Sequence, residues 1–170
     1  MLLALPWTLA GAAATDVARP RFEPTPMEVV WAMLELAEVK ASDVVYDLGC
    51  GDGRIVVTAA KKYGARGVCV EIDPKLLAEA RANAREAGVE SQIQFRNEDL
   101  LKVPLRGATV VTLFLSAQMN LELRHRLQRD LKPGARVVSH FHHMGDWKWD
   151  KLVVVRSYFM NRDVFLWTIR

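Results

Sequence analysis

Val44-Val45-Tyr46-Asp47-Leu48-Gly49-Cys50-Gly51-Asp52-Gly53-Arg54 is the stretch whose reading decides the fold. A β-branched run ends on a carboxylate, and glycines at alternate positions then lead into an apolar helical segment. The pattern predicts strand, tight loop and helix, the opening of a nucleotide-type α/β sheet. Glycine is required because such a loop visits backbone angles closed to other residues and lets a ligand approach the main chain.

The same residues narrow the ligand. A dinucleotide fingerprint, G-x-G-x-x-G, needs its third glycine where Arg54 stands, and the Gly-Lys-Ser/Thr of a phosphate loop is absent. Asp47 discriminates further. A carboxylate at the strand end repels a pyrophosphate but suits a ligand carrying an ammonium and a sulfonium. S-adenosyl-L-methionine is such a ligand.

Downstream, Gly67–Glu71 reads as a second strand. Glu71 falls 24 residues after Asp47, where a Rossmann-like unit places the acid that holds ribose hydroxyls. Asp73-Pro74 caps a helix whose stripe is Leu77, Ala80, Ala84 and Ala87, with Gly88 as its stop. A third strand, Ile93–Arg96, precedes Asn97-Glu98-Asp99-Leu100. Asp99 is a candidate acceptor for an adenine amino group and Leu100 an apolar wall for the ring; a solvated loop is the plainer reading of Asp99.

Further strands are expected at Ala108–Leu113 and Ala135–Ser139, flanking a helix from near Asn120 that packs Leu123, Leu127 and Leu131. The tail reads as strands Leu152–Phe159 and Val164–Ile169 joined through Met160–Asp163. Upstream, Thr25-Pro26-Met27-Glu28 reads as a helix start, with Thr25 as N-cap and Glu28 closing a capping box. Met27, Val30, Trp31, Leu34 and Ala37 then form the buried stripe of that helix.

The chain of 170 residues, 51% hydrophobic and 25% charged, is long enough for one core without disulfide staples. Its formal charge of +3 comes with no lysine/arginine run or basic arm, so nucleic acid is not the expected partner. Cys50 and Cys69 form no metal motif and read as small buried side chains, not a disulfide framework. Residues 1–19 form an apolar N-terminal segment and residues 20–170 the domain. Met1–Thr15 is uncharged and rich in leucine and alanine. A secretory signal without its basic start, a membrane-surface anchor and a mis-set start codon all fit it. It is short of the about 20 apolar residues that span a bilayer. A cytosolic donor argues for a cytoplasmic chain, with membrane contact through residues 1–15 as the variant of that reading.

Asp-Leu-Gly-Cys-Gly-Asp-Gly, Val-Glu-Ile-Asp-Pro, Asn-Glu-Asp-Leu and Leu-Lys-Pro-Gly-Ala-Arg-Val-Val, in this order, resemble the class I S-adenosylmethionine-dependent methyltransferases. Pro24-Thr25-Pro26, Thr109–Leu115, and Ser139-His140 leading to Met144-Gly145-Asp146-Trp147 resemble a narrower group, the small seven-strand protein-lysine methyltransferases. That group includes the mitochondrial ATP synthase c-subunit lysine methyltransferase and a broad-specificity archaeal one. The resemblance implies a single Rossmann-like α/β domain: a mostly parallel seven-strand sheet, helices on both faces and a C-terminal hairpin. It implies Asp47, Gly49 and Gly51 at the methionine end of the cofactor, Glu71 at the ribose and Asp99 at the adenine. Thr25, Cys50, Gly53, Ile72 and Leu100 complete the expected cofactor set. S-adenosyl-L-homocysteine would be the product. Phe141-His142-His143 departs from the family pattern, which bears on the acceptor more than on the fold.

Methyl transfer at a sulfonium is an in-line displacement, so the protein's task is to position the acceptor and exclude water. A lysine acceptor must be neutral, against a free pKa of about 10.4. Phe114, Trp147 and Trp149 are aromatic faces that could hold the amine, and Asp146 could orient it. Phe114, Asp146 and Trp147 are therefore the expected catalytic residues, with Arg124, Arg126 and Arg129 as a basic rim for an acidic protein surface. The expected partner is a protein with an accessible lysine; a small-molecule acceptor and a non-catalytic cofactor-binding module are the alternatives. The Asp/Asn-Pro-Pro-aromatic motif of adenine and glutamine methyltransferases is missing after the fourth strand. His140, His142 and His143 lack carboxylate or cysteine companions at metal-ligand spacing, and are expected to wall the substrate cleft without a metal.

Overall fold

The computed structural model describes residues 22–170. The apolar stretch 1–15 lies outside them. The elements are α1 (Met27–Leu36), β1 (Val44–Leu48), α2 (Arg54–Tyr63), β2 (Arg66–Val70), α3 (Pro74–Glu86), β3 (Ile93–Arg96), β4 (Val110–Leu113), α4 (Ala117–Asp130), β5 (Arg136–His140), β6 (Lys151–Ser157) and β7 (Met160–Thr168). Their strands form one sheet in the order β3-β2-β1-β4-β5-β7-β6. Five are parallel, and β7 runs antiparallel between β5 and β6. The order reverses between β1 and β4, and ligands of open α/β sheets bind outside the carboxyl ends of the strands at such a point.

Side chains alternate across the strands and feed two cores. On one face Val45, Val110, Val138, Val164 and Leu166 meet Val29, Val30, Met33 and Leu34 of α1 and Ile55 and Ala59 of α2. Cys69 and Ile93 extend this face toward α3 through Ala80 and Ala84. On the other face Leu48, Val70, Val111, Val137, Phe165 and Trp167 pack against Leu123, Leu127 and Leu131 of α4. The family-like α/β architecture expected from the sequence is thus present, with helices on both faces.

Several local expectations are corrected. The N-cap of α1 is Pro26, without a side-chain cap bond. Thr25 instead places Oγ1 3.4 Å from Nδ1 of His140, and Glu28 accepts a 2.6 Å bond from the Ser157 hydroxyl. Both side chains have found tertiary partners in place of a capping box. Val30, Leu34 and Ala37 are buried as expected, but Trp31 is 46% exposed and Met27 half-buried, and Val29 and Met33 complete the buried face of α1. Helix α4 starts three residues earlier than Asn120, because Ser116 accepts from the Met119 N–H as N-cap. The hairpin turns at Tyr158-Phe159, not at Met160–Asp163, since β6 and β7 stay in register to the pair Ser157–Met160. Cys50 and Cys69 are joined in a disulfide. Parallel pairing sets Asp47 opposite Cys69, so the loop that follows β1 passes over that cysteine.

Candidate cofactor and acceptor site

A cleft of about 560 Å³ opens at the carboxyl ends of β1, β2 and β4. Its floor begins with Asp47, which the register places opposite Thr112 of β4. The Thr112 hydroxyl donates to Oδ1 at 2.9 Å, while Oδ2 has no partner. Burial, and then the nearby Asp52 and Glu71, pushes the Asp47 carboxyl up to about 7. A buried oxygen with no donor, in a carboxyl that resists ionising alone, fits a ligand that brings its own cation.

Glu71, just past β2, accepts from the Gly51 N–H at 3.0 Å and from the Asp73 N–H at 2.9 Å. Each of its oxygens keeps a further lone pair for a hydroxyl. This bond also fixes the glycine loop. Gly51 has φ +55°, and a Cβ there would stand 2.1 Å from the Phe22 ring. Gly53 has φ +77°, with Ala80 Cβ 2.8 Å from the place its own Cβ would take, so α2 and α3 close tightly behind the loop.

Past β3, Asp99 accepts from the Leu101 N–H at 2.9 Å and faces the cleft beside Leu100 and Ile72. The turn role and the cleft position coexist in this one carboxylate. Of the expected cofactor set, Thr25, Asp47, Gly49, Cys50, Glu71, Ile72, Asp99 and Leu100 line the cleft. Gly51 and Gly53 build its wall from behind.

The acceptor end differs more from expectation. Phe114, at the end of β4, lines the cleft with its ring centroid 4.0 Å from that of His140. His140 is fully buried, and desolvation, with Arg162 and His142 nearby, lowers its pKa to about 4. Of the three histidines expected at the cleft wall, His142 lines it, whereas His140 is buried and His143 does not line it. Its position is set by Asn120, whose Nδ2 donates to the Ser139 hydroxyl at 3.0 Å and to the His142 carbonyl at 2.9 Å. Among the described residues no group of His, Cys, Asp or Glu is arranged to hold a metal ion.

Asp146 and Trp147 do not line the cleft. The exposed Asp146 is bound by the guanidinium of Arg124. Trp147 stacks on Trp167 at 5.6 Å, and its carbonyl accepts from the Trp167 indole N–H at 2.8 Å. Both serve the packing of the segment between β5 and β6. Nor do the α4 arginines form a free basic rim. Arg126 donates to the carbonyls of Leu101 and Val103, and Arg129 pairs with Asp130 at 2.7 Å.

Sequence reasoning missed Arg54 as a site-builder. Its Nε and Nη2 hold Asp52 at 3.0 and 2.5 Å, and Nη1 donates to the Thr25 carbonyl at 2.9 Å. It thereby fastens residues 22–25 along the cleft, bringing in Phe22 and Glu23. The signal was the Asp-x-Arg spacing inside the loop. Leu115, Ser116 and Met119 were also missed; they line the cleft because α4 begins earlier than its apolar stripe suggests. Charge sorts the lining sharply. Carboxylates of Glu23, Asp47, Asp52, Glu71, Asp73, Glu98 and Asp99 face one arginine, Arg54, which Asp52 already occupies. The lining is therefore acidic on balance.

A glycine loop at the switch point, an unpaired buried carboxylate and a second acid past β2 together define a class I S-adenosylmethionine-dependent methyltransferase. The chain belongs to the ANTKMT methyltransferase domain family, whose model matches residues 47–151. A protein-lysine N-methyltransferase of Saccharolobus islandicus is 42% identical over 149 residues, 87% of this chain and 92% of that protein. The adenine nucleotide translocase lysine N-methyltransferase of Mus musculus is 43% identical over 94 residues, 55% of this chain but 41% of that longer protein. An RNA methyltransferase from Salinibacter ruber, crystallised with S-adenosyl-L-homocysteine, is 50% identical in sequence. Its structure superposes with a TM-score of 0.83, covering 86% of this chain and 94% of that one.

Proposed function

We propose that this methyltransferase acts on the ε-amine of lysine in proteins. The acceptor end of the cleft carries this reading: Phe114 offers an aromatic face beside Leu115 and Met119, and the arginine that lines the cleft, Arg54, is committed to Asp52 and so offers no free cation to a polyanion. When bound, the cofactor supplies a methyl group on a sulfonium. The Asp47 carboxylate would hold its ammonium, Glu71 its ribose hydroxyls and Asp99 its adenine amino group. Phe114 then presents an aromatic face to the incoming amine. Desolvation beside a cationic donor would lower the amine's pKa, so that its proton is released to water before transfer. The archaeal protein-lysine N-methyltransferase, matched over nearly its whole length, supports the same acceptor.

A second reading is RNA, after the Salinibacter ruber methyltransferase. Labelled S-adenosylmethionine, offered with host protein and with host RNA in separate reactions, distinguishes the two. Label in acid-stable methyl-lysine, lost when lysines are acetylated beforehand, is the expected result. Label confined to RNA, or undiminished in acetylated protein, would refute the proposal.

A further inference from the structure

His140 stands behind the cleft, where two lining residues from distant parts of the chain meet. Its ring centroid lies 4.0 Å from that of Phe114, and its Nδ1 lies 3.4 Å from the Thr25 hydroxyl. Thr25 and Phe114 line the cleft; His140 itself does not and is fully buried. Its backbone is held on both sides. His140 pairs with Val164 of β7, and its carbonyl accepts from the His142 N–H at 2.9 Å. Phe141, at φ +69°, donates its N–H to the Asp163 carbonyl at 2.7 Å. What remains free is the turn of the imidazole about its own side-chain bonds, a broad, roughly two-fold torsion. The Thr25 bond settles it, since a flipped ring would offer the hydroxyl a carbon in place of Nδ1. Thr25 is itself anchored, its carbonyl accepting from Arg54 at 2.9 Å.

Folding alone does not call for an imidazole at this place. Nε2 is buried without a partner among the described residues, and desolvation, with Arg162 and His142 nearby, keeps the ring neutral with a pKa of about 4. A buried polar atom left unpaired is a cost, and one that needs a reason. A phenyl ring would stack on Phe114 without that cost. What it lacks is a nitrogen for Thr25.

We propose that His140 is a positioning residue for methyl transfer: anchored on Thr25, it holds the Phe114 ring at one angle across the acceptor end of the cleft. This role rests on the reading of Phe114 as the aromatic face that the incoming amine meets. Through Thr25 and Arg54, the first residue of α2, that face is tied to the glycine loop on the donor side. The two ends of the cleft are thereby kept in one register. An in-line displacement loses rate steeply when the reacting groups are misplaced by an ångström. His140 supplies that alignment and moves no proton.

The test is the double replacement Thr25→Val/His140→Phe, which keeps both shapes and removes both polar partners, a change near neutral for stability. Turnover is read as S-adenosyl-L-homocysteine released at saturating cofactor, with whichever of host protein or host RNA the wild type methylates. It should fall roughly tenfold, while the melting temperature does not fall. In a Phe114→Ala background, already slow, the double replacement should cost nothing more. If the double variant fails to fold, His140→Phe alone makes the same comparison. Full turnover in these variants refutes the role, and so does a loss that appears only with a lowered melting temperature. Losses that multiply with that of Phe114→Ala would make His140 independent of Phe114 and refute it as well. Phe114→Ala with full turnover would overturn the reading of Phe114 and this role together, whereas a slow Phe114→Ala beside unaffected His140 variants would overturn this role alone.

Discussion

Replacing Asp47 by Asn should separate stability from function at a single atom. Asn retains the acceptor for the Thr112 hydroxyl, 2.9 Å away, but cannot ionise. The wild-type carboxyl, 2% exposed, is raised from the usual 3.8 to about 7 by burial and then by its acidic neighbours. A folded-state pKa above the unfolded one means that the native state binds the proton more tightly. Stability of the free protein is then highest at low pH and is lost as pH rises from about 4 to about 7. The full displacement corresponds to about 4 kcal/mol, and the part between pH 5 and 7 to about 3 kcal/mol. Asn removes this dependence while adding a constant cost of about 1–3 kcal/mol for unpartnered amide hydrogens. Urea titrations across pH 5–8, without cofactor, should show the variant gaining on the wild type by roughly 1 kcal/mol per pH unit from pH 5, the gain shrinking near pH 7 and levelling above it. Calorimetry should show cofactor affinity weakened roughly 10- to 100-fold, the loss of one charge-assisted contact. A stability difference that stays flat from pH 5 to 8 would refute the buried, uncompensated carboxyl.

Phe114→Ala should lower turnover at near-unchanged cofactor affinity. Trp147→Ala should instead cost about 2 kcal/mol of stability by opening the Trp167 stack, measured by thermal unfolding; equal activity losses at matched stability would return Trp147 to the site. Gly53→Ala should destabilise by about 1–3 kcal/mol, through its φ of +77° and the 2.8 Å approach to Ala80; an unchanged melting temperature would argue against this packing. The Cys50–Cys69 bridge, closing a separation of 19 residues, should contribute about 3 kcal/mol by chain entropy. Denatured protein should titrate no free thiol, and Cys69→Ala should unfold earlier in urea.

The cofactor half was legible because its chemistry is written in contiguous loops. Asp47 sits next to the last residue of β1, Glu71 directly follows β2 and Asp99 comes three residues after β3, so naming the strand places the acid. The acceptor half depends on which long-range contacts win. Asp146 and Trp147 looked available in sequence, but Arg124 lies 22 residues away and Trp167 20, and both claim them in space. Thr25 and Glu28 matched a capping box, yet His140 and Ser157, distant in sequence, offered them tertiary bonds. The disulfide was hidden for the same reason: only the register of β1 on β2 brings Cys50 back over Cys69.

The insertion of β7 between β5 and β6 divides the labour of the chain by position. The cleft lining from Asp47 to Leu100 comes from the first half of the sheet, whereas Phe114, Leu115, Ser116, Met119 and His142 come from the second, with residues 22–25 laid along the cleft from upstream. The antiparallel return sets the amino-terminal end of β7 against the carboxyl end of β5, so the last strands of the sheet form the rim on the acceptor side. The hairpin lends no side chain to the cleft lining and reaches it only through β5, whose last residue, His140, lies against Phe114. A hairpin exchanged between relatives should therefore leave the glycine loop and its carboxylates as they are, and act on the cleft only by shifting His140 against Phe114.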